Sequence, residues 1–280
     1  MITKESISVG SLDWFYRKVQ AEQETDKAPV VLLHGIPSQS YSWRWLMPAL
    51  AEQGRDAIAP DWIGHGFSAK PDKRDFAYTP DAYIQALSDL LDALEIQTCS
   101  LAVQGFLGSV GLQFALRHSD RLERLIIFNT PLSPSAKLPW KMQQWGIPLV
   151  GDMLTQDPLL IDRTLEGGSG FQIADDDLDI YRRPFLQTSS TGRSLVATIK
   201  NLQLPQATAE IADGLKTWRK PTQIIWGMLD PWLDSAMVEP FASQSNVEWV
   251  KLPEAKHYPQ EHWGEEIEPD LVTFLRRQFV

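Results

Sequence analysis

This 280-residue chain has one cysteine, five histidines, no long apolar run and fewer basic than acidic residues. The lone thiol, Cys99, excludes an intrachain disulfide framework and fits a reducing compartment. It opens an apolar stretch and so reads as a buried core thiol. No apolar run approaches the roughly 20 residues that cross a bilayer, so no transmembrane segment is expected. Met1 to Ile7 carry no apolar signal core, and a cytoplasmic location is the expectation. A net charge of −10 argues against a nucleic-acid partner, because such binders carry basic patches. No cofactor fingerprint is present. Gly167-Gly168-Ser169-Gly170 follows no strand and precedes no Lys-Ser/Thr pair, so it reads as a flexible loop and not a phosphate loop. The acidic run Asp175-Asp176-Asp177 has no histidine in its segment. It reads as a solvated face or a helix N-terminus. Neither a cofactor nor a metal is expected.

What is present is a regular alternation of strands and helices. Residues 5–20 alternate around Gly10-Ser11 and predict a β-hairpin. Pro29 to His34 is a short apolar run ending in His-Gly, the pattern of a buried parallel strand. A helix over 43–53, a strand over 56–59 and a helix from Thr79-Pro80 to about Leu94 follow, the last with its cap and first-turn proline legible. Then come a strand to Gln104, a helix from about Phe106 to His118 and a strand over 125–128. This order predicts a mostly parallel eight-stranded sheet flanked by helices. From Thr130 to about Lys220 the strand signal stops and proline-broken helical patterns replace it. That stretch reads as an inserted helical cap, dividing the chain into core (1–130), cap (131–220) and core (221–280). Strands over 222–226 and 247–252 and a closing helix from Glu265 to Phe279 complete the fold.

Three motifs in order resemble the capped α/β-hydrolases of the haloalkane dehalogenase and epoxide hydrolase group. They are His34-Gly-Ile-Pro with Trp43-Arg44 downstream, Asp61-Trp-Ile-Gly-His-Gly-Phe-Ser-Ala-Lys-Pro71, and Tyr181-Arg-Arg-Pro-Phe185. The resemblance covers essentially the whole chain. It implies a nucleophile on a strained turn between strand and helix, an acid and a histidine after later strands, and an oxyanion hole of backbone N–H groups. Asp230, in Trp226-Gly-Met-Leu-Asp-Pro231, stands where the family keeps its acid. His257, in Glu254-Ala-Lys-His-Tyr-Pro259, stands where it keeps its histidine. The oxyanion donors would be the backbone N–H groups of Ile36, next to Gly35, and of Phe106. The plainer reading makes Asp230 a turn residue before Pro231 and His257 a buried relic. His262 reads as a surface residue.

The nucleophile position departs from the pattern. The frame reads Val103-Gln104-Gly105-Phe106-Leu107, with glycine at the tip and Leu107 where a small residue is usual. Ser109 offers an alternative frame. It would shorten the next helix by about one turn of 3.6 residues and would point away from the site. Halide-holding side chains are also absent, because Ile36 and Phe106 occupy positions where dehalogenases carry Asn and Trp. Only Tyr181 is found in the cap, where epoxide hydrolases use two tyrosines. Trp140, Trp145, Trp226 and Trp232 could line an apolar pocket, with core packing the simpler reading for most of them.

Two functional readings follow. The first is a non-catalytic binder of an apolar small molecule or a partner protein. The second is an atypical hydrolase or lyase in which Asp230 and His257 act as a general-base pair without a covalent intermediate.

Overall fold

The computed structural model describes residues 1–23 and 26–277. Eight strands form one sheet: β1 (Thr3–Val9), β2 (Leu12–Val19), β3 (Val30–Leu33), β4 (Ala57–Pro60), β5 (Cys99–Gln104), β6 (Leu122–Phe128), β7 (Thr222–Gly227) and β8 (Val247–Leu252). Their spatial order is β1-β2-β4-β3-β5-β6-β7-β8. β1 and β2 pair antiparallel, as do β2 and β4, and every other neighbour pair is parallel. The hairpin turns at Gly10, whose positive φ of 59° suits a glycine.

Between the strands run α1 (Leu46–Glu52), α2 (Pro80–Ala93) and α3 (Gly108–Arg117). Six helices separate β6 from β7: α4 (Trp140–Trp145), α5 (Val150–Leu154), α6 (Leu159–Ser169), α7 (Asp175–Gln187), α8 (Ser189–Asn201) and α9 (Leu204–Thr217). α10 (Glu239–Ala242), α11 (Pro259–His262) and α12 (Gly264–Arg276) follow. Residues 278–280, including the Phe279 end expected for the last helix, lie outside the described residues. Thr79 caps α2 by accepting a hydrogen bond from the Ala82 N–H, with Pro80 in the first turn, as its sequence predicts.

The two-residue period of the strands sorts the core. Val31, Leu33, Leu101 and Val103 face one apolar cluster, which holds α2, α3 and the apolar faces of the inserted helices. Val30, Leu32, Ala102 and Phe128 face the other, which holds α1 and α12. β3 and β5 are buried on both faces, which explains their unbroken apolar runs. Cys99 is fully buried, and burial pushes its thiol up to about 12. Among the described residues no helix is long and apolar enough to cross a membrane.

The inserted helices depart from the sequence reading in one respect. Gly167, Gly168 and Ser169 do not form a loop. They are the last turn of α6, which ends at Gly170 in the left-handed conformation. Tertiary packing overrides the low helix propensity of glycine here. A Cβ on Gly168 would sit 2.5 Å from the Tyr258 ring and 2.6 Å from the Trp232 ring, so the helix approaches only because that side chain is missing. Asp175 to Asp177 open α7 as a helix N-terminus, one of the two readings of that run.

Candidate functional site

The site forms where the C-terminal ends of β3, β5, β6 and β7 meet the loop after β8. Gly105 is the turn between β5 and α3 and has a φ of 70°. Its Cα faces Gly35, and a Cβ there would lie 3.1 Å from the Gly35 Cα and 3.4 Å from His257 Nε2. The turn therefore points any side chain at position 105 toward the imidazole. Gly35 is equally confined, since a Cβ on it would meet the Gln104 Oε1 at 2.5 Å and the Gln104 carbonyl oxygen at 2.8 Å.

The structure brings Asp230 and His257 together. Asp230 Oδ2 lies 2.8 Å from His257 Nδ1, with both side chains buried. The same carboxylate accepts hydrogen bonds from Asn129 Nδ2 at 2.8 Å, the Trp232 N–H at 2.8 Å and the Leu233 N–H at 3.1 Å. Three donors besides the histidine hold the carboxylate in one orientation. A carboxylate facing Nδ1 places the proton on that nitrogen and leaves Nε2 as the acceptor. Nε2 is buried and has no hydrogen-bond partner among the described residues. What distinguishes this nitrogen is its aim, since it faces the Cβ position of Gly105 at 3.4 Å. The N–H groups of Ile36 and Phe106 also have no hydrogen-bond partner among the described residues.

Aromatic rings enclose the imidazole. Phe106 stacks on it with centroids 5.5 Å apart, Trp232 tilts against it at 4.6 Å, and Tyr258 meets it edge-on at 4.8 Å. The loop that carries it is fixed by the His257 N–H donating to the Gly168 carbonyl at 2.9 Å. Gln104 Nε2 also donates to the His257 carbonyl at 2.8 Å. Tyr258 donates its hydroxyl to the Ile36 carbonyl at 2.9 Å, tying this loop to the His34-Gly35 loop. Ser109 is elsewhere. Its Oγ donates to the Phe106 carbonyl at 2.7 Å, inside the first turn of α3. Leu107 is buried in the core, and the close strand–helix approach falls instead at Gly111, whose Cβ would meet Val103 at 2.6 Å.

The family profile described as alpha/beta hydrolase fold matches residues 28–262. The chain belongs to the α/β-hydrolase fold family. Among curated α/β-hydrolase relatives, a cis-3-alkyl-4-alkyloxetan-2-one decarboxylase of Xanthomonas campestris is 29% identical over 276 residues, covering 91% of each chain. Haloalkane dehalogenase 1 of Mycobacterium tuberculosis is 27% identical over 257 residues, covering 88% of this chain and 83% of its own. In three dimensions the chain is similar to haloalkane dehalogenase DbeA of Bradyrhizobium elkani, with a TM-score of 0.85 at 24% identity, covering 98% of both chains. It is also similar to haloalkane dehalogenase DatA of Agrobacterium tumefaciens C58, with a TM-score of 0.84 at 23% identity, covering 98% of this chain and 96% of the other.

An apolar cavity of about 580 Å³ adjoins this α/β-hydrolase site on the side of the inserted helices. Trp140, Met142, Trp145, Leu154, Leu160 and Trp232 contribute to its walls. Three of the four tryptophans singled out in the sequence thus line a cavity, whereas Trp226 is buried in the sheet. Trp232 lines this cavity and its ring also lies 4.6 Å from that of His257.

Sequence reading missed several members of the site. Asn129 and Gln104 sit at the ends of β6 and β5, where nothing local marks them. Asn129 alone carries a signal, a positive φ of 33°, and that is visible only in the structure. A largely buried network joining the turn before α1 to α7 and α11 was also missed. Arg44 Nη1 lies 2.6 Å from Glu261, Arg44 Nη2 lies 3.0 Å from Asp177, and the Tyr181 hydroxyl donates to Glu261 at 2.7 Å. Burial raises the Glu261 carboxyl despite the nearby Arg44. Burial works against the Arg44 cation, but the carboxylates of Glu261 and Asp177 outweigh it and hold the guanidinium charged. His262 is half-buried and not a surface residue, with its ring 4.7 Å from Phe171. The short helix α11 carries it inward beside Glu261.

Proposed function

We propose that this protein is a nucleophile-less α/β-hydrolase that binds an apolar small molecule and forms no covalent intermediate with it. One observation carries this reading: Gly105 occupies the turn that faces His257 Nε2, so the position from which a nucleophile would attack carries only hydrogen. Ser109, the alternative, is turned into its own helix. Ile36 and Phe106 offer no side-chain N–H to a departing halide. The ligand class follows from the cavity beside Trp232 and from the relatives, which are named for alkyl oxetanones and haloalkanes and so share alkyl substrates. A cytoplasmic location agrees with the single buried cysteine.

A second reading is favoured by the Asp230–His257 pair. An oriented imidazole with a free Nε2 is a general base, worth typically about 10²–10⁴-fold on a reactive substrate. Two unpartnered backbone N–H groups could stabilise a developing oxyanion, adding roughly 10²–10³. A strained alkyl-substituted oxetan-2-one is reactive enough for this to matter.

A screen of wild type against His257→Ala, with alkyl oxetanones, activated esters, epoxides and haloalkanes, separates the two. The binding reading predicts no turnover in either protein and saturable binding of the alkyl compounds. Turnover in wild type that disappears in the variant would overturn it in favour of the general base.

A further inference from the structure

A second cavity lies away from the Gly105 site, between the segment after the Asp61 loop and one face of α8, and measures about 660 Å³. It is lined by four basic residues, Lys70 and Lys73 from the core segment and Arg193 and Lys200 from α8. None of the four makes an ion pair among the described residues. In a chain of net charge −10, four cations without a salt bridge around one cavity are a local reversal of sign, with Asp61 acting on Lys70 and the Arg193 guanidinium donating to Ser189 Oγ and Ser190 Oγ, both at 2.7 Å. Asp72 and Asp152 also line it, but Asp72 is engaged by the Arg74 backbone N–H at 3.1 Å, and the cations still outnumber the carboxylates two to one.

Two further features show a built wall. Lys70 is half-buried, and its Nζ donates to the carbonyls of Gly66 and Ser68, both at 2.6 Å. An ammonium carries three donors, so one N–H remains for a ligand. Tyr78 has a φ of 56°, a strained backbone for a bulky residue, and such strain clusters at binding sites. Its hydroxyl donates to the Pro71 carbonyl at 2.7 Å and shares a hydrogen bond with Ser194 Oγ at 2.9 Å. Core segment and α8 are thereby joined at the cavity floor. A Cβ on Gly64 would meet the Tyr78 ring at 2.6 Å, so the ring keeps its place only against a glycine.

We propose that this cavity binds a phosphate-bearing small molecule. Several separate N–H donors of one sign match the oxygens of a phosphate or diphosphate. The volume exceeds that of the anion alone and falls in the range of small-molecule pockets. Val196, Ala197 and Pro71 supply apolar wall for an organic group. The bound anion would bridge the core to α8.

The test is calorimetric titration of the full chain with inorganic pyrophosphate, at constant ionic strength set with sodium chloride. Wild type should bind saturably with a Kd of about 1 mM or tighter. Arg193→Gln/Lys200→Gln alters two exposed positions and should weaken binding about tenfold or more. Arg74→Gln, a nearby cation outside the cavity, should change it less than about twofold. No saturable binding up to about 10 mM in wild type, or equal affinity in wild type and the double variant, overturns the proposal.

Discussion

Replacing Arg44 by methionine should lower global stability by about 3–5 kcal/mol, the usual result of leaving a buried charge without its partner. The Arg44 side chain is 10% exposed and that of Glu261 is 1% exposed. Methionine supplies comparable bulk, so the loss is electrostatic and not a cavity effect. Without the guanidinium, Glu261 keeps only the Tyr181 hydroxyl, and Asp177 keeps only the Tyr41 hydroxyl at 2.7 Å. The network ties the turn before α1 to α7 and α11, so the inserted helices should loosen together. Urea unfolding measures the loss. Arg44→Met/Glu261→Gln should recover most of it, because the fully buried orphaned charge is then gone and Asp177, 24% exposed, is left partly hydrated. A loss below about 1 kcal/mol, as for exposed pairs, would show that the network is not a structural anchor.

Gly105→Ser should react with activated esters far faster than wild type. A Cβ at this position lies 3.4 Å from His257 Nε2, so a hydroxyl one bond further comes within hydrogen-bonding reach of the base. We expect a burst of about one equivalent with an activated ester such as p-nitrophenyl acetate, about 10²–10⁴-fold faster than wild type. The burst should vanish when His257→Ala is added. The turn opposes the change modestly. A φ of 70° costs a non-glycine residue roughly 1–3 kcal/mol, and the Gly35 Cα at 3.1 Å must give by a few tenths of an ångström. Gly105→Ala carries the same strain without the hydroxyl and should show no burst. Gly105→Asp should release little halide from haloalkanes, since neither Ile36 nor Phe106 can hold the leaving group through its side chain. Rapid halide release by that variant would refute the assignment of those two positions.

The fold class and most element positions were legible because they rest on local patterns. The two-residue period, the Thr79-Pro80 cap and the short runs over 30–33 and 99–104 each report their own backbone. Asp230 and His257 were legible as candidates because each lies in a marked loop after a strand. The partners that hold them were not. Asn129 lies 101 positions from Asp230 and Gln104 lies 153 from His257, and no local pattern encodes such contacts. Gly167 to Gly170 were misread for the same reason. Their composition signals a loop, and only the Trp232 and Tyr258 rings packed against Gly168 reveal why a helix needs glycine there. Trp232 could be counted from the sequence, but its place beside both a cavity and the imidazole could not.

The most direct test of the central claim is intact-mass analysis of the His257→Gln variant after incubation with a haloalkane, an epoxide or an activated ester. Removing the base removes the means of hydrolysing an alkyl intermediate, so a carboxylate nucleophile in this site, which attacks without a base, would accumulate one covalent adduct. A chain with glycine at position 105 should keep its unmodified mass with all three compounds. A stoichiometric adduct on a residue lining the site would contradict the account and identify the nucleophile it denies.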